Sequence, residues 1–475
     1  MRWISAACGV AAALALALAG PARAGGPTML VGAVEDAPRS TSLVTSKAQM
    51  TLARLAGFDS IRVTEVWAPG ETGPTADDVT ALTNVVTAAN LSAMRVFMTV
   101  TQYGSATTPL GNDMQAQFAQ FAAAVATKVP GIKDVIVGNE PNLNRYWLPQ
   151  FNPDGSDAAA PAYESLLALT YDALKAVSPD ITVYGGAVSP RGGDKPGTGR
   201  DTHSPTVFIK DMGFAYRASA RTEPIMDAYV QHVYEDNSSV PPGTQHPSTT
   251  TISLADYGKL VKLLGTAFDG TAQPGSTLPI LYGEFGVESQ IPAAEAKLYT
   301  GTEPTTTKPV DEATQALYYS QAIQLAFCQP NVMGLFLFHL EDEPGLAQWQ
   351  SGVYYVNGKP KPSRDVVRTA AVQSRRGIVA RCTDLELRVK ATVSRLAATH
   401  FRVTCDIDCT YTARLVRVST GATTSTVRGR VTGGVPGGIV FPKQAPGVYQ
   451  VKVSLIAPVN PGPVTGLTGK PFRLS

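Results

Sequence analysis

Short apolar segments and amphipathic helical segments alternate eight times between residues 28 and 380, and this alternation constrains the fold more than any other feature. The predicted strands lie at residues 28–35, 60–67, 93–101, 134–140, 181–188, 226–234, 278–285 and 332–340. The predicted helices lie at residues 47–56, 76–89, 112–127, 160–177, 204–219, 252–266, 311–327 and 363–380. Eight strands in strict alternation with eight helices predict an α/β fold of the (β/α)8, or TIM, barrel type.

The pattern changes after the eighth predicted helix. Residues 384–475 contain short segments of alternating hydrophobicity at roughly ten-residue spacing, separated by turns with Gly and Pro. We therefore expect a (β/α)8 barrel domain over residues 25–381 and a small all-β, immunoglobulin-like sandwich over residues 382–475. Because no aromatic cluster marks a sugar-binding face on the second domain, a structural appendage is favoured over a binding module.

Residues 1–24 are typical of a secretory signal peptide. Arg2 precedes an apolar segment of small residues that is too short to span a membrane, and the segment ends with small residues at Ala24. We expect cleavage after Ala24, an extracellular protein and no membrane association after cleavage, with a membrane anchor as the alternative. Cys8 lies inside the segment and the residue directly after the expected cleavage site is Gly25, not a cysteine, which argues against a lipid anchor.

The overall charge argues against a nucleic acid partner. The sequence has 40 basic and 38 acidic residues, with no long run of either sign. A neutral partner is expected instead. The hydrophobic fraction of 44% is enough for a large core and a small extra domain, and we expect a monomer.

Four cysteines remain after removal of the signal segment, an even number in an oxidising compartment: Cys328, Cys382, Cys405 and Cys409. We predict the bonds Cys328–Cys382 and Cys405–Cys409. The first is favoured because both residues should lie on the barrel face opposite the carboxyl ends of the strands. A metal site is the alternative, but the sequence has no paired CxxC motif and its histidines are scattered, so we expect none.

Two predicted strands end at a glutamate. Glu140 follows an apolar run and Gly138, and Glu284 lies near the end of the seventh predicted strand. The carboxyl ends of barrel strands carry the active site, and two carboxyl groups at such ends are what glycosidic bond cleavage requires. The alternative is a solvated charge on the rim. We interpret the following acidic residues in that way: Glu65, Glu235, Asp236, Glu341, Asp342 and Glu343.

Other polar residues lie near the same strand ends. Period-two alternation places His232 and Tyr234 on one side of strand six, and Arg62 in strand two can keep a nearby carboxylate ionised. The same alternation separates Asn139 from Glu140. Both can reach one substrate only if the strand twists or bulges as it ends.

In their order along the barrel, these motifs resemble the retaining (β/α)8 glycoside hydrolases of clan A. The matching residues are Arg62, Asn139, Glu140, Pro141, His232, Tyr234 and Glu284. The resemblance is greatest to the cellulase-type members of family 5 and is less close to family 39. A Gly-x-Pro-Lys-Pro turn within residues 352–362 is also similar to the family segment after strand eight. The resemblance covers residues 28–381 and does not include the C-terminal domain.

The resemblance implies a role for each matching residue. Glu140 would be the general acid/base and Glu284 the nucleophile. Tyr234 and Arg62 would orient and ionise Glu284, and Asn139 would bind the 2-hydroxyl of the sugar. Retention of configuration implies carboxyl groups roughly 5–5.5 Å apart and a covalent glycosyl-enzyme intermediate.

The resemblance also implies how the sugar is surrounded, with one departure from the family pattern. His232 would line the same subsite. Family members usually have a tryptophan at the end of strand eight, where this chain has Phe, His and Leu at residues 338–340. We therefore expect Trp67 or Trp147 to supply the aromatic surface and His339 to contact the sugar.

The sequence thus predicts a secreted retaining glycoside hydrolase that acts on a carbohydrate, a β-linked glycoside or polysaccharide, without a cofactor. A non-catalytic carbohydrate- or cell-wall-binding protein on a barrel scaffold and a transglycosylase are the alternatives. Three connections that follow strands, residues 190–203, 235–250 and 286–310, are expected to determine which sugar binds.

Overall fold

The computed structural model of the protein describes residues 26–377, 391–405, 409–431, 435–456 and 464–474. The expected signal peptide, the expected domain boundary after residue 381 and Cys382 lie outside these ranges. The signal cleavage, the boundary and the Cys328–Cys382 bond therefore stay predictions. No helix within the described ranges is long and apolar enough to cross a membrane.

Eight parallel strands form a closed barrel in which each strand pairs with the next and the last pairs with the first. The strands are β1 (Leu30–Val34), β2 (Ser60–Trp67), β3 (Arg95–Gln102), β4 (Asp134–Val137), β5 (Thr182–Val188), β6 (Ala228–His232), β7 (Ile280–Phe285) and β8 (Val332–Phe338). The helices are α1 (Leu43–Leu55), α2 (Ala76–Asn90), α3 (Gly111–Lys128), α4 (Ala159–Val177), α5 (Pro205–Ala218), α6 (Tyr257–Phe268), α7 (Glu312–Phe327) and α8 (Pro362–Arg375). This order confirms the predicted (β/α)8 barrel.

The strands pack into a barrel because they are apolar on both faces. Every residue of β4 and of β7 is buried, as expected for strands covered by helices outside and by side chains inside. Inside the barrel, the Phe97 ring contacts Tyr184 and Phe336 edge to face, with ring centroids 5.5 and 4.9 Å apart. Gly32 leaves space for these aromatic rings, because a Cβ at that position would lie 2.7 Å from the Phe336 ring.

The C-terminal region consists of antiparallel strands in two sheets. One sheet has the order β13-β10-β9, formed by β9 (Ala391–Ala397), β10 (His400–Cys405) and β13 (Gly437–Val440). The other is formed by β11 (Cys409–Arg417), β12 (Thr423–Val431), β14 (Gly447–Ile456), β15 (Val464–Thr468) and β16 (Phe472–Leu474). Residues of both sheets share one apolar core that includes Phe401, Leu415 and Val453. The predicted all-β sandwich is confirmed.

Cys405 and Cys409 are both buried, at the end of β10 and the start of β11. Residues 406–408 between them lie outside the described ranges. The predicted Cys405–Cys409 bond stays a prediction.

Candidate active site

A backbone turn after β4 presents Glu140 at the mouth of the barrel. The strand ends at Val137 rather than at the predicted residue 140. Gly138 has a φ of +80° and Glu140 a φ of +42°, both in the left-handed region, which ends the regular pairing. The backbone N–H of Glu140 donates to the carbonyl oxygen of Ala187 at 2.8 Å and anchors the turn to β5. The bend that the sequence requires here is therefore a left-handed turn, an uncommon conformation for a residue other than glycine.

Glu284 lies in β7 with both carboxyl oxygens held by hydrogen bonds. Arg62 Nη2 donates to Oε1 at 2.5 Å, and the Tyr234 hydroxyl donates to Oε2 at 2.9 Å. Burial acts to raise the pKa of Glu284, but the charges of His232 and Arg62 and these two hydrogen bonds outweigh it, so that the pKa lies below its usual range. Glu284 is thus ionised at neutral pH.

His232 lies between the two glutamates at the end of β6. Its Nδ1 is 3.0 Å from Glu140 Oε1 and 3.4 Å from Glu284 Oε2, and its side chain is fully buried. One carboxyl oxygen of each glutamate and one nitrogen of His232 all lie within 4.8 Å of one another. Three such atoms could hold a cation, but the guanidinium of Arg62 already supplies a fixed positive charge beside Glu284.

A cavity of about 370 Å³ opens above the two glutamates. It is lined by residues from the strand ends and from the connections after β4, β5, β6, β7 and β8, among them Glu140, Tyr146, Arg191, Tyr234, Glu235, Glu284, Glu288, Phe338 and Trp349. Burial, with the charge of Glu140 next, raises the pKa of the Tyr146 hydroxyl to about 12. Tyr146 therefore faces the two carboxyl groups as a neutral hydroxyl.

Trp349 supplies the aromatic wall of this cavity. Its ring lies 5.1 Å from the Tyr234 ring at an interplanar angle of 35° and contacts Phe338 edge to face at 5.3 Å. Trp349 is not among the predicted site residues and lies 11 positions after the end of β8. The one available signal was that the chain has only 4 tryptophans.

Trp67 and Trp147, the expected aromatic surface, are packing residues, and this expectation is corrected. Trp67 is 0% exposed, donates from Nε1 to the Glu71 carbonyl at 2.9 Å and contacts Phe118 edge to face. Trp147 is 1% exposed and contacts Tyr163 edge to face. Neither ring offers a free face to a sugar.

Neither Asn139 nor His339 makes a hydrogen bond to Glu140 or Glu284. The Asn139 side chain is half-buried and has no hydrogen-bond partner among the described residues. His339 lines a neighbouring cavity of about 410 Å³, where its Nε2 lies 4.0 Å from Glu343. Arg62 and Phe338 also line that second cavity, which therefore adjoins the first.

Three acidic residues interpreted as solvated rim charges are buried, so that interpretation is wrong for them. Glu65 is 1% exposed and pairs with Arg39 at 2.6 Å, and burial raises its pKa to about 7. Glu235 is 7% exposed and lines the cavity, and its burial raises its pKa well above the usual range. Asp342 is paired with Lys361. By contrast, the side chain of Asp236 is 54% exposed, in agreement with the rim interpretation.

The connection that carries Trp349 is closed by the Asp342–Lys361 ion pair. Lys361 Nζ lies 2.7 Å from the Asp342 carboxylate and also donates to Ser289 Oγ and the Gln350 carbonyl oxygen, each at 3.0 Å. Both charged side chains are 0% exposed. Lys361 is the lysine of the Gly-x-Pro-Lys-Pro turn, so this motif ties the connection after β8 to the one after β7.

The fold and the site define a (β/α)8 barrel with two paired carboxyl groups at the carboxyl ends of β4 and β7. No protein-family model matches the sequence, and no curated protein is significantly similar to it. A solved structure of a family 39 glycoside hydrolase from the gut symbiont Bacteroides cellulosilyticus WH2 is similar, with a TM-score of 0.53, 16% sequence identity, and coverage of 88% of this chain and 82% of that one. A glucosidase from Croceicoccus marinus is similar with a TM-score of 0.50, 11% identity, and coverage of 88% and 94%.

These likenesses show a shared fold. Family 39 is the less close of the two families that the sequence motifs resemble. The prediction of a greater resemblance to family 5 stays a prediction.

Proposed function

We propose that the protein is a retaining glycoside hydrolase that cleaves the O-glycosidic bond of a β-linked glycoside or polysaccharide. The observation that carries this proposal is the pairing of Glu140 and Glu284 in one cavity, with carboxyl oxygens within 4.8 Å of each other. Retaining enzymes place their two carboxyl groups roughly 5–5.5 Å apart, whereas inverting enzymes leave roughly 6.5–9.5 Å for a water molecule.

The surroundings of the two glutamates support different roles for them. Arg62 and Tyr234 hold Glu284 as a carboxylate, which suits a nucleophile that attacks the anomeric carbon. Glu140 is bound neither by the Arg62 guanidinium nor by the Tyr234 hydroxyl, and it contacts the imidazole of His232. These surroundings suit a general acid/base.

The proposed reaction has two displacements. Glu284 forms a bond to the anomeric carbon while Glu140 gives its proton to the leaving oxygen, which departs with the electron pair of the glycosidic bond. Glu140, now a carboxylate, then takes a proton from water, whose oxygen displaces Glu284 and returns both carboxyl groups to their starting states. Asn139 is proposed to bind the sugar 2-hydroxyl, in line with the family resemblance.

The first test follows release of nitrophenol from a panel of aryl β-glycosides: glucosides, mannosides, xylosides, galactosides and glucuronides. Glu284→Gln and Glu140→Gln, made separately, are each expected to lower kcat by about 100-fold or more, because each removes a group that acts in the transition state. Asp365→Asn on α8, whose side chain is 74% exposed, is the matched carboxylate control. Unchanged activity in either glutamate variant would remove that residue from the mechanism.

A second test distinguishes the hydrolase from its alternatives. A 2-deoxy-2-fluoro β-glycoside of the preferred sugar is expected to label Glu284 stoichiometrically, as read by mass spectrometry of the peptide. Sugar binding with neither turnover nor label would show a binding protein. Longer oligosaccharide products at high substrate concentration would show a transglycosylase.

We also propose that the protein acts outside the cell after export through its N-terminal segment. The support is the signal-like composition of residues 1–24. The secreted protein is expected to begin at Gly25, which N-terminal sequencing of culture supernatant would check. Recovery of the intact N-terminus in the cell fraction alone would contradict export.

A further inference from the structure

A third buried glutamate lines the same cavity, in the connection after β7. Glu288 is 7% exposed, and its Oε2 is closed off from solvent and has no hydrogen-bond partner among the described residues. Only four positions separate it from Glu284, yet the two side chains have different neighbours. Oε1 is not closed off in this way, so it is the oxygen through which Glu288 lines the cavity and which a ligand can reach.

We propose that Glu288 is a substrate-positioning residue whose carboxylic acid donates a hydrogen bond to a hydroxyl group of the bound sugar. The inference rests on the proposed glycosidase function and deepens it, because it assigns a specificity determinant that the motif resemblance does not include.

The backbone around Glu288 is fixed, so its side chain is held in place before substrate arrives. Its N–H donates to Ser238 Oγ at 2.9 Å, in the connection after β6. Its carbonyl oxygen accepts from the N–H of Val310 at 3.0 Å, where the chain returns towards α7. A preorganised polar group of this kind contributes to specificity more than a mobile one does.

The charges that face Glu288 leave it without a dedicated cation. They come from Glu303 in the same connection and from Asp342 and Lys361 on the segment that leads to α8. Lys361 is engaged by Asp342, Ser289 and the Gln350 carbonyl. Burial, with the charge of Glu303 next, raises the pKa of Glu288 to about 8, so that it is protonated and can donate at neutral pH.

Glu235 is the other buried acid of the cavity, and it is less suited to this role. Both of its carboxyl oxygens are closed off from solvent, whereas only Oε2 of Glu288 is. Glu235 also faces Asp256, which is occupied by His246 at 2.9 Å.

The test compares Glu288→Gln, which keeps a neutral donor of similar size, with Glu288→Met, which removes it. With the aryl β-glycoside that the enzyme cleaves fastest, Glu288→Met is expected to raise KM about 3- to 10-fold at pH 6.5 and change kcat less. Glu288→Gln is expected to keep KM within about twofold. The KM of the wild type should rise as pH increases through about 8, and that of Glu288→Gln should not.

The same variants are also made in a Glu284→Gln background, and binding of the corresponding disaccharide is measured by calorimetry across pH 6 to 9. Binding of this disaccharide by the wild-type protein without its cleavage would overturn the proposed hydrolysis, whereas the calorimetry would still test Glu288. Equal KM for the Gln and Met variants, or a pH dependence of affinity that persists in Glu288→Gln, would overturn the inference. Correct folding of each variant is checked by its melting temperature.

Discussion

Glu284 and Glu288 are two buried glutamates in one cavity, and their pKa values move in opposite directions. Glu284, at the floor, accepts hydrogen bonds from Arg62 and Tyr234, and its pKa is lowered. Glu288, on the side wall, has an acidic neighbour instead of a dedicated cation, and its pKa is raised to about 8. Burial penalises the charged form of both side chains, so the difference lies in the neighbours. One cavity thus contains two residues of the same type, one with a lowered and one with a raised pKa.

The largest expected effect comes from removing the cation at the floor. Arg62→Met leaves Glu284 buried without its cationic partner. We expect kcat/KM to fall about 100- to 1,000-fold because one partner of a buried ion pair is lost. Activity requires ionised Glu284, so it is lost as pH falls through the pKa of that group. The acid limb of kcat/KM should therefore move to higher pH in the variant. Arg62→Lys, which keeps the charge, is the control, and an acid limb in the wild-type position would contradict the prediction.

Removal of the second donor should have a smaller effect of the same kind. Tyr234→Phe keeps the ring that contacts Trp349 but loses the 2.9 Å hydrogen bond to Glu284. Loss of a hydrogen bond to a charged group is expected to lower kcat about 10- to 100-fold and to change KM little. Steady-state kinetics check this. A change confined to KM would show that Tyr234 acts on the sugar rather than on Glu284.

The side wall can be tested through its aromatic residue. Trp349→Ala is expected to raise KM about 3- to 10-fold because an aromatic contact to the sugar is lost, with a smaller change in kcat. Trp147→Phe is the matched control, since Trp147 is 1% exposed and packs inside the protein. It should lower the melting temperature and leave KM unchanged. A larger KM effect at Trp147 would reverse the assignment.

The smallest expected effect is on stability. The pKa of Glu288 is raised in the folded protein from its usual value of 4.5 to about 8. The stability that protonated Glu288 contributes is therefore present below pH 4.5 and is lost as pH rises through about 8. Glu288→Gln does not titrate, so its melting temperature relative to wild type should rise by about 2 °C or more between pH 5 and pH 9. Parallel melting curves over that range would contradict the raised pKa.

Sequence periodicity predicted the barrel well, because apolar strands and amphipathic helices are local patterns. β2 has its predicted bounds, and β7 begins two residues after its predicted start at 278. The pairing of Glu140 with Glu284 was also predictable, since both lie at the carboxyl ends of strands, which meet at one barrel face.

Features that depend on contacts between connections could not be predicted. The left-handed turn at Glu140 breaks the period-two pattern that was used to place side chains. Trp349 reaches the cavity from the connection after β8. Asp342 is buried where Lys361, the Tyr299 hydroxyl and the Gly352 N–H from three other segments meet it. Local hydrophobicity does not indicate which charged residues will be covered by a distant segment of the chain.

The Asp342–Lys361 ion pair has a consequence for how the lining of the cavity could change. The pair joins the two ends of the segment that carries Trp349 and anchors them to Ser289, independently of Glu140 and Glu284. Within this segment Val353 and Tyr354 belong to the barrel core, whereas Trp349 lines the cavity, so Trp349 can be substituted with the ion pair and the core contacts kept. Such substitutions would alter the wall of the cavity while Glu140 and Glu284 stay in place, which for the proposed hydrolysis separates the choice of substrate from the chemistry.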